Sequence, residues 1–154
     1  MKNVILLLEK DVSSETPIID VRKAFADWDY ATLCCAERNE TAIKDTYFYL
    51  KEVPFEGEAF SEEYNIYHSG EEVFISYESD EIVAIVELED DSYESIFNEE
   101  GNYTETYDLS VKTITIAGTD LSVLNLSKEF KQEIEHEAEL YRDEVVQDYY
   151  DRRN

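Results

Sequence analysis

Tyr64-Asn65-Ile66-Tyr67-His68-Ser69-Gly70-Glu71-Glu72-Val73-Phe74-Ile75-Ser76-Tyr77-Glu78-Ser79-Asp80-Glu81-Ile82-Val83-Ala84-Ile85-Val86-Glu87-Leu88 decides how the chain is read. Tyr64 to His68 and Val73 to Tyr77 are rich in β-branched and aromatic residues and flank a short Gly-containing loop, the pattern of a hairpin. Glu78-Ser79-Asp80-Glu81 is a second turn, and Ile82 to Leu88 a third strand. Together they predict an antiparallel meander.

Outward from the meander, the pattern extends to both ends. Residues 3–8 form a continuous apolar run bounded by charges and read as a buried strand. Thr16-Pro17 is a good helix start, and Ile18, Val21, Phe25 and Trp28 follow it at 3–4 spacing, predicting an amphipathic helix over 17–28. Tyr30 to Ala36 reads as a strand, as does Tyr47 to Val53 up to Pro54. Residues 90–100, with Tyr93, Ile96 and Phe97 at helical spacing, are expected as a short helix. Tyr103 to Leu109 and Val111 to Ala117 are expected strands, and Leu121 to Leu126 an extension of the pairing. Ser127 caps a C-terminal helix over 127–152. Its stripe is Leu126, Phe130, Ile134, Ala138, Tyr141, Val145 and Tyr149. The expected fold is α+β: one domain over 1–154, an antiparallel sheet of about five to seven strands, an N-terminal amphipathic helix and a long C-terminal helix.

The charge is the unusual feature. There are 38 acids against 13 Lys and Arg, a net charge of -25. Residues 52–111 hold nineteen of the acids and no Lys or Arg. At the overall density of basic residues, about five would be expected there. At 43% apolar and 13% aromatic, the chain is too hydrophobic for a disordered acidic tail. The negative charge is therefore expected on an ordered scaffold. Such a chain has little with which to neutralise phosphates, so direct binding to DNA or RNA is excluded, and an anionic membrane surface is disfavoured. Its natural partner is basic.

Motifs for chemistry are absent. There is no glycine-rich phosphate loop, no HExxH and no Gly-x-Ser-x-Gly. His68 reads as an exposed residue beside a turn. His136, three residues after Glu133, reads as part of a solvated helix face. Cys34 and Cys35 are adjacent and cannot close a loop. On a strand they would point to opposite faces as core or half-buried fillers. Glu87 to Glu94 is oxygen-rich but lacks the EF-hand's alternation and glycine, which leaves at most a weak divalent site. No catalytic residue, metal site or cofactor is expected. The short apolar run at 4–8 ends at Glu9-Lys10-Asp11, no stretch approaches a membrane span, and a cytoplasmic protein is expected.

What remains is electrostatic. Carboxylates at i and i+2 on a strand, or i and i+4 on a helix, form rigid rows of charge about 6–7 Å apart. The expected partner-binding residues are Glu62, Glu63, Glu71, Glu72, Glu78, Asp80, Glu81, Glu87, Glu89, Asp90, Asp91, Glu94, Glu99 and Glu100. Glu129, Glu133, Glu137, Glu144, Asp148 and Asp151 fall near one side of the C-terminal helix. In size, charge and aromatic content the chain resembles the DNA-mimic proteins, among them phage-encoded anti-restriction and anti-CRISPR inhibitors. It also resembles the acidic immunity proteins that neutralise nuclease toxins. The resemblance implies a non-enzymatic, stoichiometric inhibitor that occludes the groove of a basic nucleic-acid-binding protein, such as a CRISPR effector or restriction enzyme. The alternatives are an immunity protein for a nuclease toxin, and a divalent-metal-binding module or enzyme. The oligomeric state stays open.

Overall fold

The computed structural model describes residues 2–57, 62–95 and 104–153. In chain order the elements are β1 (Lys2–Asp11), β2 (Ile18–Phe25), α1 (Trp28–Glu40), β3 (Thr46–Phe55), β4 (Tyr64–Ser69), β5 (Glu72–Tyr77), β6 (Glu81–Asp90), β7 (Tyr93–Ser95), β8 (Thr104–Thr106), β9 (Leu109–Ile116), β10 (Thr119–Asp120) and α2 (Lys128–Arg153). The strands form a three-stranded sheet in the order β2-β1-β3, a five-stranded sheet in the order β10-β9-β6-β5-β4, and the small pair β7-β8. All pairings are antiparallel. The architecture is α+β.

The meander forms as its alternation dictates. Ile66 pairs with Ile75, which pairs with Ile82. Val73, Ile75, Tyr77, Ile82, Ala84 and Val86 are buried, so every second residue of β5 and β6 faces the core. Gly70 supplies the left-handed backbone (φ 59°) that the β4–β5 turn requires. Across β9–β10, Ala117 and Gly118 both take positive φ, the signature of a tight primed hairpin turn.

The N-terminal third departs from expectation. Residues 18–25 are strand β2, and the first helix begins eleven residues later than its Thr-Pro signal suggests. Ile18, Val21 and Phe25 do not share a face: Val21 lies beside Leu8 and Phe25 beside Ile5, and between them a bulge, where Leu7 pairs with Lys23 but Leu8 with Val21, leaves Arg22 as the extra residue. The β-branched run Ile18-Ile19-Asp20-Val21 pairs with β1, and this pairing overrides the helical spacing. Tyr30 to Ala36 is correspondingly helix, not strand. Asp27 takes extended backbone and accepts from Tyr30 N at 2.9 Å, so Asp27 is the N-cap that Thr16 was expected to be. Cys34 and Cys35 thus sit about 100° apart on a helix, one buried and one half-buried, rather than on opposite faces of a strand.

Three smaller differences follow. β3 runs through Pro54, which a strand at the edge of a sheet tolerates. Tyr93–Ser95 is strand rather than helix, and the rest of the expected helix, 96–100, lies outside the described residues. Leu121–Val123 is a 3-10 turn that ends the chain's excursion along β9 instead of lengthening the sheet.

One core joins the layers. Ile5, Leu7 and Phe25 from the three-stranded sheet meet Tyr30 and Leu33 of α1, the inward residues of β5, β6 and β9, and Phe130 and Ile134 of α2. Asp29 ties the two helices, accepting from Ser127 N and Ser127 Oγ at 2.7 Å each. Ser127 Oγ in turn accepts from Phe130 N and caps α2. Tyr77 stacks on Tyr30 with ring centroids 3.8 Å apart, while its buried hydroxyl has no hydrogen-bond partner among the described residues. Tyr77→Phe keeps the stacking and removes the orphan hydroxyl. It is expected to raise the unfolding free energy by about 1 kcal/mol in urea titration. A loss of that size would show that the hydroxyl is satisfied.

Candidate functional site

The expected binding residues divide by the work they do. Glu62 is half-buried and accepts from Ala26 N at 2.9 Å and Asp27 N at 3.3 Å, at the start of α1. Burial raises its pKa above the ordinary carboxylate value. Asp80 reaches Lys23 Nζ at 2.7 Å and accepts from the Tyr30 hydroxyl. The Lys23 hydrogen bond, with that from Tyr30, holds its pKa low. Both acids are fasteners of the fold rather than free surface charges. Asp90 closes a turn by accepting from Ser92 N at 2.8 Å, and hydrogen bonds from Ser92 lower its pKa. Glu63, Glu71, Glu78, Glu89 and Asp91 are exposed. Glu94 lies on β7, and Glu99 and Glu100 fall outside the described residues.

Four of the set share one face: Glu72, Glu81 and Glu87, which border its centre, and Glu89 further along β6. On β5 and β6 the residues alternate with the buried ones, so Glu72, Phe74, Glu81, Val83, Ile85 and Glu87 all lie on the outer face of the five-stranded sheet. The register aligns Tyr67, Phe74 and Val83 in one row across β4, β5 and β6, and Glu72 beside Ile85 in the next. Tyr67 and Phe74 stack, with centroids 5.2 Å apart. The result is an apolar and aromatic centre bordered by Glu72, Glu81 and Glu87.

The bordering carboxylates are held in position. Tyr67 donates its hydroxyl to Glu81 Oε2 at 3.0 Å. Thr113 Oγ1 donates to Glu87 Oε2 at 3.2 Å, and Lys112 Nζ lies 3.5 Å from Glu87 Oε1. These contacts limit the rotamers that a partner would otherwise have to freeze. Lys112, within β9, is the first Lys or Arg after the base-free run 52–111.

A second acidic row runs along α2. Its members Glu133, Glu137 and Glu144 face β4, where Glu133 accepts from the Tyr64 hydroxyl at 3.2 Å. The sequence suggests an exposed turn residue at His68, but its side chain is only 14% exposed and is clamped by Glu137 (2.6 Å from Nδ1) and Glu144 (3.0 Å from Nε2). The Glu137 hydrogen bond raises the His68 pKa against the opposing effect of burial, with Glu144 adding to the rise. No sequence signal reveals this clamp, because its partners lie 69 and 76 residues away.

The clamp makes stability depend on pH. The folded pKa of His68 exceeds its ordinary value of 6.5. The stabilisation is therefore complete below that value and is lost as pH rises through the folded pKa. Wild type is expected to exceed His68→Gln by about 1 kcal/mol at pH 5.5–6 and to converge with it near pH 9. Urea titrations at the two pH values check this, and a constant difference would contradict the clamp.

Nucleophilic groups converge in one open cleft of about 420 Å³, lined in part by Lys23, Cys34, Glu37, Arg38 and Asp80. The geometry there makes a strut. Lys23 Nζ also bonds the Tyr30 hydroxyl at 2.7 Å. Burial acts to lower the Lys23 pKa, but the bonds to Asp80 and Tyr30 prevail and keep it above the ordinary lysine value. Burial, with the nearby Asp80 charge, pushes the Cys34 thiol up to about 12. A protonated lysine and a protonated thiol cross-brace β2, α1 and the β5–β6 turn, and neither is activated as a nucleophile.

Among the described residues, no group of three or more His, Cys, Asp or Glu is arranged to hold a metal ion. No described helix is long and apolar enough to cross a membrane. Comparison with protein-family models, curated proteins and solved structures finds no match.

Proposed function

We propose that this chain is a non-enzymatic inhibitor that imitates the charge of a nucleic acid. It would occlude the basic DNA- or RNA-binding site of a protein such as a CRISPR effector or restriction enzyme. One observation carries the reading: the outer face of the five-stranded sheet sets an aromatic centre of Tyr67, Phe74, Val83 and Ile85 inside a border of Glu72, Glu81 and Glu87. Protein interfaces favour that layout, a desolvated apolar centre within a polar rim. Here the rim is anionic, so the matching surface is cationic. Arginines can pair with the carboxylates and stack on Tyr67 and Phe74.

Repulsion within a chain of net charge -25 opposes folding. Carrying nineteen acids over 52–111 without one interspersed Lys or Arg has a rationale if a cationic partner relieves that repulsion on binding. The rigid strands fix the spacing of the carboxylates, as a phosphate backbone fixes its own.

The test is capture of partners by the tagged chain from bacterial lysates carrying defence systems, with elution by rising salt and by duplex DNA. The expected eluate is a basic nucleic-acid-binding protein released by either treatment and inhibited stoichiometrically by the purified chain. A nuclease toxin in that eluate would assign the chain to toxin immunity. A captured protein that resists both salt and DNA would contradict mimicry.

A further inference from the structure

The outer face of the three-stranded sheet has the opposite character to the rest of the molecule. With the Arg22 bulge counted, the register places Ile19, Lys10 and Tyr47 in one row, then Val21, Leu8 and Tyr49, then Ala24, Leu6 and Lys51, then Val4 with Val53, and last Phe55. Leu7, Phe25, Phe48 and Leu50, in alternate positions, point the other way into the core. The nearby acids follow that inward alternation: Glu9 pairs with Asp20 and Phe48, and Glu52 with Ile5. Among the side chains described, the outer face therefore bears ten apolar or aromatic residues, two lysines and no carboxylate.

Among the described residues, no helix packs on this face; α1 lies against the inward side, where Leu33 meets Leu7 and Phe25. Val21 is 61% exposed, Ile19 52% and Tyr47 42%, whereas Val4 and Leu8 at its centre are already covered by their neighbours. Lys10 lies over the Tyr47 ring at 5.9 Å. Its stem lies along the apolar face, and its charge can swing out to the margin.

We infer that the face binds a second copy of this chain, forming a two-fold sandwich of two three-stranded sheets. Charge selects the occupant. Two molecules of net charge -25 repel at any acid-bearing face, and residues 1–55, which build this sheet and α1, carry a net charge of only -3. A carboxylate-free face is where copies can approach and bury apolar area together. Three strands of about eight residues give a face of roughly 14 Å by 26 Å. Two such faces with their rims bury on the order of 1,000 Å², the lower limit for a specific interface, so the dimer is dissociable at micromolar concentration.

Salt sets this contact apart from the proposed inhibitor surface. Screening relieves the repulsion between the two anionic protomers, so dimerisation strengthens with ionic strength, whereas binding to a cationic partner weakens. Sedimentation of the full chain from ~2 to ~200 μM, at ~0.05 and ~0.5 M NaCl, reads both the mass and its salt dependence. The expected result is conversion of the 18.0 kDa chain to twice that mass, favoured by concentration and by salt. Val21→Glu, which sets a carboxylate in the middle row, is expected to weaken dimerisation at least about tenfold while circular dichroism stays native. Ile43→Glu, at an exposed position before β3, is expected to leave it unchanged. An 18.0 kDa mass at every concentration would overturn the inference, as would a dimer indifferent to Val21→Glu or loosened by salt. None of these outcomes bears on the acidic surface, so the two readings fail separately.

Discussion

Phe130→Ala is expected to lower the unfolding free energy by about 3–5 kcal/mol, the range for emptying a fully buried aromatic site. Phe130 is 1% exposed, sits in the first turn of α2, and meets the Tyr64 ring edge-on at 5.1 Å. The helix it anchors carries nine acids against five Lys and Arg over 128–153, so like-charge repulsion works against the isolated helix. Docking through Phe130, Ile134 and Ala138 holds it in place. Loss of Phe130 removes the most N-terminal of these anchors, beside the Ser127–Asp29 link to α1. Urea titration monitored by circular dichroism measures the change. A loss below about 1 kcal/mol would mean that α2 is held mainly elsewhere.

The second large effect concerns binding. Replacing Glu72, Glu81 and Glu87 together by glutamine is expected to weaken affinity for the captured basic partner by at least about 100-fold at low salt. It should also flatten the dependence of affinity on salt. The fold should survive, because the three side chains lie on the outer face and their neutralisation lowers internal repulsion. Glutamine keeps the shape and can still accept from the Tyr67 and Thr113 hydroxyls, so the change isolates charge. A matched triple at Glu62, Asp80 and Asp90 is expected to act through stability instead. The first two fasten α1 and Lys23, and the third closes a turn.

These contrasts show where the sequence was legible. The meander from Tyr64 to Leu88 announced itself through alternation and Gly70, and α2 through an unbroken stripe with Ser127 before it. Both are patterns in which local spacing and final packing agree. Residues 17–36 mislead because the apolar residues of β2 lie on both faces of the strand, Val21 beside Leu8 on one and Phe25 beside Ile5 on the other, and their chance 3–4 spacing imitates a helix. The cap at Asp27, which starts the true helix, falls inside the 17–28 stretch whose spacing imitates one.

The same limit applies to the site. Segregation of charge was visible as a count, but which acids face solvent depends on register. Asp80 and Glu62 look like their neighbours in the sequence, yet each bonds to groups more than thirty residues away. The His68 clamp and the carboxylate-free face of the three-stranded sheet both require long-range pairings, the latter with a bulge counted correctly.

The central claim is that this chain and a nucleic acid compete for one basic site. The direct measurement is fluorescence anisotropy of a labelled duplex or guide RNA bound to the captured partner, titrated with the unlabelled chain. Mimicry predicts full displacement near one equivalent, with a midpoint that rises with the nucleic-acid concentration and a much weaker effect from the Glu72, Glu81 and Glu87 triple variant. A ternary complex, in which anisotropy rises while the nucleic acid stays bound, would contradict it.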